Sequence, residues 1–176
     1  NELSKEVEIP SNNIPLGLGE DYLQSLLAEA NTMTDDMSGG FGQQNKFPSV
    51  PQLNVMLVAY ENNPEPELKE FILLTLNKMA SQGLYDQLGG GFFRYTVDPL
   101  WQIPHFEKML YDNALLVIAY LEAYQVTKDE YFKYVVIDIL RYTGRDMTSP
   151  EGAFYSATDA DSLTPDGHMD EGWYFT

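Results

Sequence analysis

The stretch GLYDQLGGGFFRYTVDPLWQIPHFEKMLYDN, residues 83–113, sets the terms for the rest of the chain. Three consecutive glycines, Gly89 to Gly91, stand between the acid Asp86 and the aromatic-basic run Phe92-Phe93-Arg94-Tyr95. Trp101, one of two tryptophans, and His105, one of two histidines, follow. Glycine lets a backbone come close to a ligand, and polar or aromatic side chains on loops are common material for binding sites. The stretch therefore reads as the lip of a site. Its end reads as the start of a helix from about Pro104 to Val126, whose centre ALLVIAYL is apolar on every side and belongs inside a helical assembly.

Working outward, the pattern is helical in both directions. After Val126, Thr127 with Glu130 three places on resembles a capping box. It opens a fifth helix to about Arg145, with Tyr134, Ile137 and Leu140 set against Lys133, Asp138 and Arg141. Beyond Thr148 come GAFYSATDADS, the polar turn DGHMDEG and the run WYFT, which together predict a hairpin. Before Gly83, a third helix spans about Glu65 to Ser81 with a stripe of Leu68, Ile72, Leu76 and Met79, and Gly83 is expected to stop it. A second helix runs from about Pro51 to Glu61, and a first from about Glu20 to Met33. The glycine-rich stretch Thr34–Ser49 joins them, and residues 1–18, with Pro10 and Pro15, read as a linker or irregular leading segment.

The chain is thus all-α, with about five antiparallel helices and small hairpins in its long loops. Long loops follow helices one, three and five, and short links follow two and four. In an up-and-down arrangement successive links alternate between the two ends, so the long loops share one rim. Helices two and four are the more apolar, which makes them the inner layer and places their N-termini at that rim.

Composition narrows the function. The 176 residues, 44% of them hydrophobic, suffice for a real core. The 27 acids against 10 bases leave a net charge of −17, which argues against any nucleic-acid partner and favours neutral or weakly cationic ones. The absence of cysteine excludes disulfides, thiolate nucleophiles and cysteine-ligated metals. Two distant histidines are poor material for a metal site, so neither metal nor cofactor is expected. The longest apolar run, the eight residues Ala114–Leu121, falls short of a membrane span, and no signal peptide is evident, so the expected location is cytoplasmic.

Four ordered motifs, GGFGQQNKFP (39–48), GGGFFRYTVDPLW (89–101), PHFEKMLYDNA (104–114) and GAFYSATDADS (152–162), resemble the thioredoxin-fused, spermatogenesis-associated family of largely uncharacterised proteins. The resemblance covers about residues 15–176. It implies a thioredoxin-like domain elsewhere in the full-length chain and, here, an (α/α)6 toroid similar to N-acylglucosamine and cellobiose 2-epimerases. Five helices do not close a twelve-helix toroid. The expectation is therefore its first half, over residues 19–176, with an open edge prone to self-association.

The chemistry follows from the rim. If the helix begins at Pro104, His105, Lys108 and Asp112 share one of its faces, with Glu107 beside them. A histidine among acids serves either as a general acid/base for proton transfer next to a sugar carbonyl, or merely as a helix cap paired with an acid. Asp86, Asp112, Asp159 and Asp161 are candidates for the carboxylate pair a glycoside hydrolase needs, about 5 to 9.5 Å apart. Asp159 and Asp161 read equally well as turn-forming acids. Phe47, Phe93, Tyr95, Trp101, Phe154, Tyr155 and Trp173 offer flat faces for a sugar ring or pack the loops. Lys46, Arg94 and Lys108 offer donors to its oxygens. His168 is expected to lie in solvent. Three functions are carried forward: an epimerase- or isomerase-like enzyme on a small sugar, a glycoside hydrolase, and a non-catalytic toroid that serves a thioredoxin-like domain.

Overall fold

The structure, a computed structural model, describes residues 18–172. Apart from Leu18, the segment expected over residues 1–18 lies outside the described residues, as do Trp173 and the rest of WYFT. Five helices carry the fold: α1 (Leu18–Asn31), α2 (Val50–Asn62), α3 (Pro66–Ser81), α4 (Leu110–Thr127) and α5 (Glu130–Asp146). Six short strands decorate the loops: β1 (Tyr95–Thr96), β2 (Pro104–His105), β3 (Lys108–Met109), β4 (Ala157–Thr158), β5 (Asp161–Leu163) and β6 (Met169–Glu171). They pair antiparallel as β1–β2, β3–β4 and β5–β6. Among the described residues no helix is long and apolar enough to cross a membrane.

The helices end where their residues dictate. Pro51 and Pro66 open α2 and α3 at positions where no backbone N–H is needed. The N-cap of α5 is Asp129, whose carboxylate accepts from the Tyr131 N–H at 2.9 Å. Thr127 instead closes α4 by donating to the Ala123 carbonyl at 2.7 Å, so the capping box expected there does not form. Gly83 does not terminate α3 in a left-handed conformation. The helix leaves through an extended Gln82, and a Cβ on Gly83 would stand 2.0 Å from the Gln102 carbonyl oxygen. Its smallness serves a crossing of chains.

Helix α2 packs against α1, α3 and α4, and α4 against α2 and α5, so α2 and α4 form the inner layer. Leu53, Met56, Leu76, Met79, Leu116, Tyr120, Phe132 and Ile139 are fully buried between the layers, and the Tyr120 hydroxyl donates to the Leu76 carbonyl at 2.8 Å. Two expectations need correcting here. Helix α4 is not covered all round: Tyr111, Ile118 and Leu121 are exposed, because α2 and α5 flank only part of it. Helix α5 turns Phe132, Val135, Val136, Ile139 and Tyr142 inward and leaves Tyr134, Ile137 and Leu140 outside. It carries apolar residues on two faces, and the larger, more continuous stripe took the core.

The three long loops do share one rim, and they repeat. DDMSGGF (35–41) and DQLGGGF (86–92) fold alike. In each, the aspartate N–H donates to the carbonyl of the glycine directly before the phenylalanine, Asp35 to Gly40 at 2.9 Å and Asp86 to Gly91 at 3.0 Å. In each, one carboxylate oxygen accepts two backbone N–H groups: Met37 and Ser38 on Asp35, Leu88 and Gly89 on Asp86. The other oxygen meets a buried lysine. Lys46 reaches Asp35 at 2.9 Å and the Gly39 and Gly42 carbonyls, and Lys108 reaches Asp86 at 2.7 Å and the Gly90 carbonyl at 2.7 Å. A third loop, SPEGAF (149–154), keeps the turn with Ser149 in the aspartate position, and Thr148 bridges Phe154 as Thr34 does Phe41 and Tyr85 does Phe92.

Gly40 and Gly91 occupy the left-handed region in the two full repeats. A Cβ there would strike Trp101 at 2.3 Å and Tyr142 at 2.4 Å. Removing one member of a buried, fully bonded ion pair leaves the other charge stranded, at a cost of about 3–5 kcal/mol. Lys108→Ala is therefore expected to lower the urea unfolding midpoint sharply, and Asp86→Asn combined with Lys108→Met to recover part of the loss. Equal stability of Lys108→Ala and the parent chain would show that the clasp holds nothing.

Candidate active site on the shared rim

Site geometry starts from the turn that folds β2 back on β1. Asp98 organises it: its carboxylate accepts from the backbone N–H groups of Leu100 at 2.8 Å, Gln102 at 3.0 Å and Ile103 at 2.6 Å. The resulting register sets Tyr95 opposite His105, and their rings stack at 4.8 Å and 25°. Phe47 stacks on Tyr95 at 4.7 Å and 21°, so Tyr95 lies between a phenyl ring and an imidazole. Of residues 104–109, expected on the first turns of α4, 104–105 and 108–109 are strands with a bend at Phe106 between them, and the helix begins at Leu110. His105 is therefore a strand residue beside Tyr95. It is neither at the dipole end of α4 nor on a helical face with Lys108 and Asp112. The cause is Lys108, whose side chain is drawn inward to Asp86 while Met109 pairs with Ala157.

Around His105 the charged groups form a chain. Its Nδ1 lies 2.8 Å from Glu171 Oε1, and its Nε2 lies 3.9 Å from Glu107 Oε2. The same Glu107 oxygen accepts from the Arg94 guanidinium at 2.9 Å. The Arg94 N–H donates to the Glu107 carbonyl at 2.8 Å, so backbone and side chain hold the pair together. Asp112, in the first turn of α4, completes the cluster. Burial pushes its carboxyl up to about 6, against the pull of Arg94 and a hydrogen bond from Tyr111. Its Oδ2 is buried with no partner among the described residues.

The structure sorts the sequence-derived candidates into two groups. His105, Glu107, Arg94, Tyr95 and Asp112 come together, with Phe47 beside them. Tyr155, Asp159 and Asp161 are exposed on the neighbouring loop. Asp86, expected as a catalytic acid, is buried. Burial alone would raise its carboxyl, but Lys108 and the Gly89 and Leu88 N–H groups outweigh that and hold it below the usual carboxylate range. Lys46 and Lys108, expected as substrate donors, are buried in the clasps. Phe93 and Trp101, expected under a sugar, instead wall those ammonium groups. Lys108 Nζ sits 4.8 Å from the Phe93 ring and 4.3 Å from that of Tyr142, and Lys46 Nζ sits 5.9 Å from Trp101. Trp101 also donates to the Ser38 carbonyl at 2.9 Å. His168 is exposed, as expected. Glu171 and Tyr111 escaped the sequence reading, whereas the repeated D-x-x-x-G-G-F signal was available to separate clasp residues from site residues.

No family model matches the chain. It is 42% identical over 132 residues to spermatogenesis-associated protein 20 of Rattus norvegicus, covering 73% of this chain and 17% of that protein. It is 40% identical over 147 residues to the Homo sapiens protein of the same name, covering 80% and 19%. The chain thus spans about a fifth of the length of these relatives. Among solved structures, a cellobiose 2-epimerase from Bacillus thermoamylovorans matches with a TM-score of 0.70 at 15% identity, over 89% of this chain and 46% of that one. A sugar epimerase from a ruminal bacterium gives 0.68 at 16% identity, over 79% and 40%. A D-mannose isomerase gives 0.60 at 13%, over 78% and 41%. At such identities the likeness is one of fold: the chain forms the first half of an (α/α)6 toroid, with α2 and α4 inside.

The raised carboxyl of Asp112 has a measurable consequence. An acid whose folded value exceeds its unfolded value loses stability as pH rises between the two, here from about 4 to about 6, and the loss persists above. Asp112→Asn is expected to match the parent chain in thermal midpoint near pH 4 and to exceed it at pH 8. The gain should be on the order of 1–2 kcal/mol, reduced because the group is partly exposed. Equal midpoints for the two proteins across that range would contradict the assignment.

Proposed function

Because the chain belongs to the spermatogenesis-associated protein 20 family and folds like half of a sugar-epimerase toroid, we propose that its rim is an acid/base site for a small reducing sugar. The observation that carries this reading is that His105, paired with carboxylates, and Asp112, a carboxyl raised to about 6 with one oxygen unengaged, share Glu107 as a neighbour.

Epimerisation beside a carbonyl needs a base to take the proton from the carbon next to it and an acid to return one to the opposite face. Between those steps the charge rests on an enediolate oxygen. In the proposed site the His105 imidazole takes the proton, and Asp112, in its protonated form, returns one. Exchange with solvent then removes the proton from His105 and returns one to Asp112, so no atom is gained or lost overall. The Arg94 guanidinium, anchored by Glu107, supports the developing oxyanion. The exposed faces of Phe47 and Tyr155 are flat enough to meet the C–H face of a pyranose ring. Net negative charge and the surrounding carboxylates suit a neutral sugar better than a phosphorylated one. Glycoside hydrolysis draws no support from Asp86, which the Lys108 clasp withdraws from chemistry.

The test is transfer of solvent deuterium to C2 of glucose, mannose or cellobiose in D2O, followed by NMR with the full-length protein. Incorporation is expected with the parent chain. It should fall about 100-fold or more in His105→Ala and Asp112→Asn. Absence of incorporation into all three sugars, or undiminished incorporation in both variants, would exclude the assignment.

A further inference from the structure

An imidazole acts as a base only through an unprotonated nitrogen, and the partner of the other nitrogen decides which one that is. A carboxylate accepts hydrogen bonds and donates none. Glu171 Oε1 lies 2.8 Å from His105 Nδ1, within hydrogen-bonding distance, whereas Glu107 Oε2 lies 3.9 Å from Nε2, beyond it. We propose that Glu171 is the positioning residue of this site: it holds the proton on His105 Nδ1, fixes the ring against Tyr95, and leaves the Nε2 lone pair free on the side of Glu107 and Arg94. The inference deepens the acid/base reading and rests on it for its catalytic consequence, though not for its tautomer.

The placement of Glu171 is built by more than its own contact. It comes from the last residue of β6, in register with Asp161 of β5. The next residue, Gly172, takes the left-handed conformation and passes so close to Phe106 that a Cβ would stand 2.6 Å from the ring. Its N–H donates to the Ala160 carbonyl at 3.1 Å. Phe106 in turn meets Phe93 edge-on at 5.3 Å, and Phe93 walls the Lys108 clasp. The hairpin end is thus fastened over the residue that follows His105. The groups facing His105 are Tyr95 of β1, Glu107 of its own loop and Glu171 of β6, with Arg94 behind Glu107.

Ring ¹⁵N NMR of His105 in the full-length protein, above the pH at which the ring is charged, reads the tautomer without reference to activity. The parent chain is expected to show a single Nδ1–H form. Glu171→Gln keeps the size and the hairpin but offers Nδ1 either a donor or an acceptor, and Glu171→Ala offers nothing. Both are expected to yield a mixture or the Nε2–H form with an unchanged thermal midpoint. In the deuterium-transfer assay both are expected to lower kcat about 10-fold or more while KM holds, since a wrong tautomer costs rate and leaves binding intact. An Nε2–H form in the parent chain, or a tautomer unmoved in both variants, would overturn the inference. A tautomer that shifts as expected in a protein without deuterium transfer would sustain the Glu171 contact and sink the acid/base reading instead.

Discussion

The clasp between Lys108 and Asp86 is the interaction on which the rim depends. A lysine ammonium out of water must find acceptors for its charge. Here it has the Asp86 carboxylate, the Gly90 carbonyl and the faces of Phe93 and Tyr142. To reach them the backbone around Lys108 is extended and turned inward, so α4 cannot begin until Leu110. That leaves residues 104–105 free to pair with β1. The stacking of His105 on Tyr95, and through it on Phe47, is thus set by a lysine three residues away whose charge never meets solvent. The second clasp, Lys46 with Asp35, does the same for the preceding loop, and Lys46 pairs with Thr96 at the end of β1. One buried and one partly buried ion pair therefore tie two loops and one strand pair into a single lip.

The same loops show how one residue type divides into two roles. Asp86 and Asp112 belong to one stretch of sequence, yet their carboxyls move in opposite directions. Asp86 collects a lysine and two backbone N–H groups, which outweigh burial and favour its ionised form. Asp112 is desolvated, and the pull of Arg94 and a hydrogen bond from Tyr111 do not offset that, so its proton is held to about 6. A carboxylate locked in the first way supports structure, and one left in the second way is suited to exchange protons.

Much of this was legible in the chain itself. Apolar periodicity located all five helices, and the alternation of long and short links put the three glycine-rich loops at one end. Where the reading failed, the missing information was non-local. Both faces of α5 are apolar, and which one enters the core depends on what α4 presents. The proline at 104 looked like a helix start, because nothing nearby in sequence reveals that Lys108 is claimed by an aspartate 22 residues earlier. Lys46, Phe93 and Trp101 have the composition of a binding surface, and they serve as the walls and charge of the clasps. Glu171, 66 residues from His105, sits in an unremarkable acidic turn. The repeat DDMSGGF and DQLGGGF, each with a downstream lysine, was the one overlooked pattern that pointed to the division of labour.

The most direct test of the account is a titration of the full-length protein with cellobiose, followed through assigned histidine ring signals. The His105 resonances are predicted to move saturably while those of the exposed His168 stay fixed, since one ring borders the sugar site and the other lies in solvent. A His105 signal that ignores the sugar, or one that moves no more than His168, would contradict the central claim that this rim holds a carbohydrate.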